Sequence, residues 1–165
     1  MSAAPLSLED LAAVLPAKAR LIGVDLGTKT IGLALSDVER RVATPLTTLR
    51  RKKFAGDAEA LSALVRQFDA FALIVGLPLA LSGDEGPRAQ STRAFARNFA
   101  RLHPSPYAFW DERMSTVAVE RALIANDVSR ARRAAVIDQM AAAYILQGAL
   151  DRLARLAPGA GGGAD

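Results

Sequence analysis

The stretch LIGVDLGTKTIGLALS, from Leu21 to Ser36, contains two aliphatic runs separated by a short polar segment. Residues 21–25 and 31–36 have the composition of strands, and residues 27–30, GTKT, have that of a turn. A third strand is predicted over residues 42–49. Three consecutive strands with short connections predict an antiparallel meander.

The remainder of the chain predicts further helices and strands. A short helix begins after Ser7, whose hydroxyl suits the N-cap, and Pro16 ends it. The other predicted helices cover residues 56–68, 87–102, 115–125 (capped by Ser115) and 132–156, and the other strands cover residues 71–75 and 107–110. After the first short helix, the order β-β-β-α-β-α-β-α-α predicts an α/β fold with a five-stranded mixed sheet flanked by helices.

Length and composition predict one compact domain. The chain has 165 residues, of which 51% are hydrophobic, which is enough to form one core. We assign residues 20–156 to this domain. Residues 1–19 predict a peripheral N-terminal extension, and the glycine-rich residues 157–165 predict a disordered tail.

The composition also excludes several classes of protein. The absence of cysteine excludes disulfides, thiolate zinc sites and cysteine nucleophiles. No apolar run approaches the roughly 20 residues that are needed to span a bilayer. We therefore expect a protein that is neither exported nor inserted in a membrane, and that is located in the cytoplasm.

Two clusters of basic residues indicate a polyanionic partner. The formal net charge is +4, and positive charge is concentrated at residues 50–53, RRKK, and at Arg130, Arg132 and Arg133. Such clusters are typical of proteins that bind nucleic acid. The alternative is that both clusters are solvated loop or helix-end residues without a ligand.

Asp25 is a carboxylate at the end of an apolar strand. The glycines at positions 23 and 27 leave space for a ligand or another segment of backbone to approach closely. An aspartate at a strand end above small residues suits binding of a metal ion or a phosphate. The alternative is that Asp25 caps the following turn through backbone hydrogen bonds.

Glu112 follows the predicted strand at residues 107–110 and precedes a predicted helix. Side chains alternate along a strand, so Asp111 and Glu112 are expected to point to opposite sides, and only one of them to face a site. Arg113 either neutralises Asp111 or contacts a phosphate. The alternative is that these residues form a surface cluster beside a capped helix.

Asp138 lies within an apolar helical pattern. Its neighbours three, four and seven residues later are Ala141, Ala142 and Ile145, which place the carboxylate on an apolar face of small residues. The alternative is a boundary residue that pairs with Arg132, Arg133 or the helix dipole.

If the three carboxylates converge, their hard oxygen ligands and the lack of cysteine indicate one or two ions of Mg²⁺ or Mn²⁺. Such ions orient a water molecule and stabilise a leaving oxygen during phosphodiester hydrolysis. His103, the only histidine, lies in a predicted turn and is interpreted as structural. A histidine general base is therefore disfavoured.

Four segments together resemble the YqgF/RuvX family, whose members are described as Holliday junction resolvases and as pre-16S ribosomal RNA nucleases. The segments are GVDLG at 23–27 with IGLALSD at 31–37, VGLP at 75–78 with GDEG at 83–86, DERMST at 111–116, and IDQMAA at 137–142. They lie in the order and spacing of the family and cover residues 21 to about 150. Met114 and Ser115 stand where the family more often has leucine and threonine.

The resemblance implies an RNase H-like fold and a metal-dependent nuclease. It implies that Asp25, Glu112 and Asp138 form the acidic triad that binds metal and carries catalysis. It also implies that Thr28, Lys29 and Arg113 lie near the substrate backbone, and the charge pattern adds Arg130, Arg132 and Arg133 as candidates for substrate contact.

The leading functional hypothesis is processing of the 5′ end of pre-16S ribosomal RNA by hydrolysis, which leaves a 5′-phosphate and a 3′-hydroxyl. Resolution of Holliday junctions in branched DNA is the alternative with the same chemistry. A non-catalytic nucleic-acid-binding factor for ribosome assembly or transcription is a further alternative. Residues 25–28, DLGT, also resemble the phosphate loop of actin-like kinases and ATPases, but those folds need a far longer chain. The sequence leaves both a monomer and a homodimer open.

Overall fold

The computed structural model describes residues 4–127 and 130–157, with side chains throughout these ranges except at residues 118, 127 and 130–134. The strands are β1 Arg20–Leu26, β2 Thr30–Ser36, β3 Ala43–Arg50, β4 Ala70–Leu77 and β5 Tyr107–Asp111. The helices are α1 Leu8–Val14, α2 Phe54–Gln67, α3 Pro87–Leu102, α4 Val117–Asp127 and α5 Arg130–Leu156, and a 3-10 turn covers Glu112–Met114. None of the helices in this part of the chain is both long and apolar enough to cross a bilayer.

The strands form one five-stranded sheet in the order β3-β2-β1-β4-β5. The β1–β2 and β2–β3 pairs are antiparallel, which confirms the predicted meander, and the β1–β4 and β4–β5 pairs are parallel. Parallel neighbours require crossover connections, and α2 and α3 provide them. The predicted five-stranded mixed sheet is therefore confirmed.

Hydrophobic side chains cover both faces of the central strand β1. Leu21 packs in a core with Ile145 and Leu146 of α5 on one face. Ile22 and Val24 pack on the other face in a second core with residues of α2 and α3. Because side chains alternate along a strand, Asp25 points to the same face as Leu21, towards α5.

The N-terminal segment is not peripheral, contrary to the expectation from the sequence. Leu11 of α1 is fully buried in the core beside α5, and Leu6 forms a parallel β-bridge with Ala108. The Ser7 hydroxyl accepts a hydrogen bond from the Asp10 amide, which confirms the predicted cap. Leu11 enters the core through contacts with segments far away in the sequence, which the pattern of one short helix does not indicate.

Ser115 does not cap α4, which corrects another expectation. Its hydroxyl donates to the Glu112 carbonyl at 3.2 Å and it ends the 3-10 turn, so that α4 begins only at Val117. The chain after β5 thus makes a tight turn before the helix starts. This turn fixes the direction of Glu112.

Helix α5 lies very close to the sheet because two facing residues are glycines. A Cβ atom at Gly23 would stand 2.7 Å from Leu146 Cβ, and one at Gly32 would stand 2.1 Å from the carbonyl oxygen of Asp138. No side chain larger than hydrogen fits at either position without displacement of α5. The close approach brings Asp138 directly over β2.

Candidate active site

Asp25 lies at the end of β1, where its side chain is almost completely buried. It is 5% exposed and pairs across the antiparallel β1–β2 ladder with Gly32. Because Gly32 has no side chain, the α5 backbone at Asp138 occupies the space next to it on this side of the sheet, close to Asp25. Local sequence dictates this arrangement, since a strand-end aspartate and a cross-strand glycine meet in a short hairpin.

Glu112 approaches Asp25 from the other side of β1. The 3-10 turn after β5 directs its side chain over Gly76 of β4, where an added Cβ would stand 3.3 Å from Glu112 Oε1. Asp111 takes a different direction, as the alternation of side chains predicted, and its carboxylate binds Arg113. Only one carboxylate of this adjacent pair therefore reaches Asp25.

Arg121 of α4 joins the buried Asp25 to the half-buried Glu112. Its Nη2 atom lies 2.7 Å from Asp25 Oδ1 and 3.3 Å from Glu112 Oε1. The sequence analysis missed this residue, because α4 has no motif and its arginine meets Asp25 from 96 positions away along the chain. The only signal was a lone basic residue in the first helix after Glu112.

Asp138 lies on the opposite side of Asp25 from Glu112. It accepts a hydrogen bond from the Thr30 hydroxyl at the start of β2. Burial raises the pKa of the Asp25 carboxyl, and the negative charge of Asp138 adds to that increase. The fold thus places Asp25 between Glu112 and Asp138, with Arg121 bound on the Glu112 side.

Both Asp25 and Glu112 stand in surroundings that disfavour their negative charge. Burial raises the pKa of Asp25; Arg121 lowers it and Asp138 raises it again. Burial likewise raises the pKa of Glu112, which Arg121 lowers and Asp25 raises. A carboxyl whose pKa is raised on folding favours the folded state below its unfolded pKa, and this contribution is lost as the pH rises through the folded pKa. Burial therefore disfavours the ionised form of both carboxyls, and an additional cation beside them would offset that effect.

A groove of about 740 Å³ opens over Asp25 and Asp138. Thr28 and Lys29, which the family resemblance places near the substrate, line it. The groove is also lined by basic side chains that the sequence analysis did not assign individually, namely Arg50, Arg88 and Arg121. Acidic groups at the base and basic groups around them suit a phosphate ester that is held above a cation site.

The other predicted substrate residues have different places. Arg113 pairs with Asp111 at 2.7 Å and donates to the Leu81 carbonyl at 3.3 Å, outside the set of residues that line the groove. The side chains of Arg130, Arg132 and Arg133 lie outside the described residues. Their contact with substrate stays a prediction.

Two arginines of the basic cluster at residues 50–53 have different surroundings. Arg50 lines the groove. Arg51 instead donates to the Gly27 carbonyl at 2.7 Å and lies 4.0 Å from the Asp57 carboxylate, so it supports the β1–β2 turn. Part of a run of basic residues can therefore be structural, which is why the run alone does not define an interface.

The donor set of this site fits a divalent cation. Carboxylate oxygens are the ligands that Mg²⁺ and Mn²⁺ prefer, and the Arg121 guanidinium already places positive charge between Asp25 and Glu112. Within residues 4–127 and 130–157, however, no three acidic or histidine side chains are grouped closely enough to hold one metal ion. The residues that suit a cation are therefore Asp25 and Glu112. Asp138 is a neighbouring carboxylate that accepts a hydrogen bond from Thr30.

Comparison with known proteins gives consistent matches over most of the chain. A family model described as "RuvX: Holliday junction resolvase" matches residues 19–152. A protein of Methylocella silvestris is 60% identical over 156 residues, which cover 94% of this chain and 97% of that protein. One of Paracoccus denitrificans is 60% identical over 147 residues, which cover 89% and 93%. Both carry the name "Putative pre-16S rRNA nuclease".

The fold is also similar to that of a solved resolvase. The structure described as "T. thermophilus RuvC in complex with Holliday junction substrate" matches with a TM-score of 0.54 and 12% identity, over 82% of this chain and 96% of that chain. At this identity the likeness concerns the fold alone. It shows that the sheet and helices described above form an RNase H-like fold.

Proposed function

Since this chain belongs to the RuvX family, we propose that it is a divalent-cation-dependent endonuclease that processes the 5′ end of pre-16S ribosomal RNA. The family and the names of its relatives support a nuclease that hydrolyses phosphodiester bonds. The cation, the roles of individual residues and the RNA substrate are parts of the proposal. Pre-16S RNA is proposed because relatives that are 60% identical carry that substrate in their name.

One observation carries the proposal, which is the convergence of Asp25 and Glu112 on a single cationic group. Two carboxylates within hydrogen-bond distance of one Arg121 nitrogen form an anionic pair that is ready to hold a positive ion. Burial makes the negative charges of Asp25 and Glu112 unfavourable, and a bound cation would compensate for them. A purely structural ion pair would not need the surrounding groove with its basic side chains.

The proposed reaction is hydrolysis of a phosphodiester. A water oxygen attacks phosphorus, the bond from phosphorus to the 3′ oxygen breaks, and the products are a 5′-phosphate and a 3′-hydroxyl that carries a proton from the water. A divalent cation, when bound, supplies a reactive water at neutral pH and neutralises charge that develops on the phosphate. Asp25 and Glu112 would hold the cation, and Asp138, oriented by Thr30, is the third candidate ligand.

The basic side chains around the groove would position the substrate. Lys29, Arg50 and Arg88 line it, and their side chains would donate hydrogen bonds to phosphate oxygens of the substrate. His103 lies at the end of α3 with Nε2 4.0 Å from Glu59 Oε2, and it is not among the residues that line the groove. Activation of water is therefore assigned to the carboxylates and their cation and not to histidine.

Resolution of branched DNA is the second candidate function. The description of the family model as a Holliday junction resolvase favours it. Both substrates present the same phosphodiester to the same carboxylates, so they differ in the shape of the nucleic acid. A monomer suffices for one cut in RNA, whereas paired cuts in a junction require two copies of the chain.

The proposed location is the cytoplasm, where ribosomal RNA precursors occur in bacteria.

The proposal is tested by cleavage of labelled precursor 16S RNA and of a four-way DNA junction in parallel. Each substrate is incubated with Mg²⁺, with Mn²⁺ and with a chelator. We expect cleavage of the RNA with either ion and none with chelator. Preferential cleavage of the junction would establish the second candidate. Binding of both substrates without cleavage of either would contradict the proposal and favour a non-catalytic binding factor.

A further inference from the structure

Three arginines form a row along one face of α3. Arg93, Arg97 and Arg101 are spaced four residues apart within Pro87–Leu102, so they lie above one another on the helix surface. Successive members are separated by a rise of about 6 Å, and the whole row is about 12 Å long. We call this set the α3 arginine row.

The α3 arginine row lines a cleft that is separate from the groove over Asp25. The cleft has a volume of about 340 Å³ and is completed by Tyr107 and Phe109 of β5 and by Ala4 and Pro5. The guanidinium carbon of Arg93 lies 4.9 Å from the centre of the Phe109 ring. The cleft therefore combines positive charge with aromatic surface, as sites for nucleic acid often do.

Most of the charge in the row is not neutralised. Arg93 pairs with Glu85 at 2.5 Å. Arg97 and Arg101 are exposed, and neither has a carboxylate partner within 4.0 Å among the described residues. Burial raises the pKa of the Tyr107 hydroxyl, and the positive charges of the three arginines oppose this increase. Of the three guanidinium groups, one is in an ion pair and two are outside any described ion pair. Positive charge is therefore concentrated at this cleft.

Helix α3 connects this cleft with the groove over Asp25. Arg88, in the first turn of α3, lines that groove, and its charge lowers the pKa of both Asp25 and Glu112. The α3 arginine row begins five residues later and continues for about 12 Å away from the groove. Tyr107 and Phe109 belong to the core on the α2 and α3 side of the sheet, opposite the side that Asp25 faces. A ligand that occupies both places must be extended and must pass around the edge of the sheet.

We propose that the α3 arginine row is a second binding site for the phosphate backbone of a structured nucleic acid, and that it holds a duplex arm beyond the scissile phosphate. The inference rests on the proposed function only for the identity of the nucleic acid. Guanidinium groups match phosphate oxygens in geometry, and a linear row suits a polymer of phosphates better than a single small anion. Contacts to the phosphate backbone at two separate places, the groove and the α3 arginine row, would select a structured nucleic acid over a single strand by its shape.

The test compares Arg97→Gln/Arg101→Gln with a matched control, Arg41→Gln/Arg155→Gln. Neither Arg97 nor Arg101 has an ion-pair partner among the described residues, so their replacement is expected to leave the fold intact. The control removes the same charge from exposed arginines, Arg41 after β2 and Arg155 in the last turn of α5. Binding is measured by fluorescence anisotropy in chelator, with a precursor RNA hairpin and with a short oligonucleotide that fills the groove alone.

We expect the Arg97→Gln/Arg101→Gln protein to bind the hairpin about 10-fold more weakly, with a salt slope that is smaller by about two units. Its affinity for the short oligonucleotide and the behaviour of the control should be unchanged. Unchanged hairpin affinity, or an equal loss in the control, would overturn the proposal and leave the row as a surface for an acidic protein or for solvent. Cleavage by the wild-type protein is scored separately, so a protein that binds the hairpin through the row but cuts nothing would contradict the proposed function alone.

Discussion

Asp25→Asn is expected to lower the rate of RNA cleavage by more than about 100-fold, because it removes the carboxylate at the centre of the site. Loss of a group that only supports a metal ligand commonly costs 10- to 100-fold, so loss of the ligand itself should exceed that range. The asparagine side chain would still fit at this position, since the substitution changes one oxygen to an amide nitrogen. The measurement is single-turnover cleavage of precursor RNA at saturating Mg²⁺.

RNA binding by the Asp25→Asn protein should stay at the wild-type level. The substitution removes a negative charge beside the groove, and the basic side chains of Lys29, Arg50 and Arg88 that line it are unaffected. Asp10→Asn is the matched control, because Asp10 is an exposed acid in α1. Loss of binding or of folding together with cleavage would show that Asp25 is structural and would remove the reason to assign it to catalysis.

Gly32→Ala is expected to destabilise the protein by about 3 kcal/mol, near the upper end of the usual cost of overpacking. The new methyl carbon would stand 2.1 Å from the Asp138 carbonyl oxygen and 2.3 Å from its carbonyl carbon. These are backbone atoms, which cannot rotate away as the end of a side chain can. Helix α5 must therefore shift, and a denaturant or thermal unfolding curve measures the cost.

The same substitution should also impair cleavage, because α5 carries Asp138 and Gly32 is the cross-strand partner of Asp25. Gly56→Ala provides the matched control. No atom lies within 4 Å of an added Cβ at Gly56, and alanine in a helix is favoured over glycine by about 0.5–1 kcal/mol. The control should thus be slightly stabilised with full activity. A Gly32→Ala protein as stable as the wild type would show that α5 does not lie as close to β2 as described.

The sequence predicted the sheet and two of the three carboxylate positions for local reasons. Apolar runs followed by carboxylates identify Asp25 and Glu112 as groups at or just after a strand end, since strand periodicity and turn residues are short-range signals. Asp138 was visible as a charge on a face of alanines. The three were expected to converge, and the fold does bring Asp25 near both others, while the roles of all three stay predictions.

The sequence did not reveal contacts that depend on packing between distant segments. Arg121 reaches Asp25 only because the turn after β5 and the start of α4 place it there, and Thr30 meets Asp138 only because α5 lies on glycine. Leu11 enters the core through the same kind of long-range packing. The α3 arginine row is different, because its four-residue spacing is present in the sequence. The three arginines are not consecutive in the sequence, and only the helix aligns their charges, so a search for runs of basic residues does not find them.

Direct binding of Mn²⁺ to the protein without nucleic acid tests the central claim, which is that Asp25 and Glu112 form a cation site. Free Mn²⁺ is followed by electron paramagnetic resonance during titration of the wild-type, Asp25→Asn, Glu112→Gln and Asp10→Asn proteins. We expect the wild type and Asp10→Asn to bind about one or two ions that Mg²⁺ displaces, and both site variants to lose at least one. Equal binding by the wild type and both site variants, or no binding by the wild type, would contradict the claim.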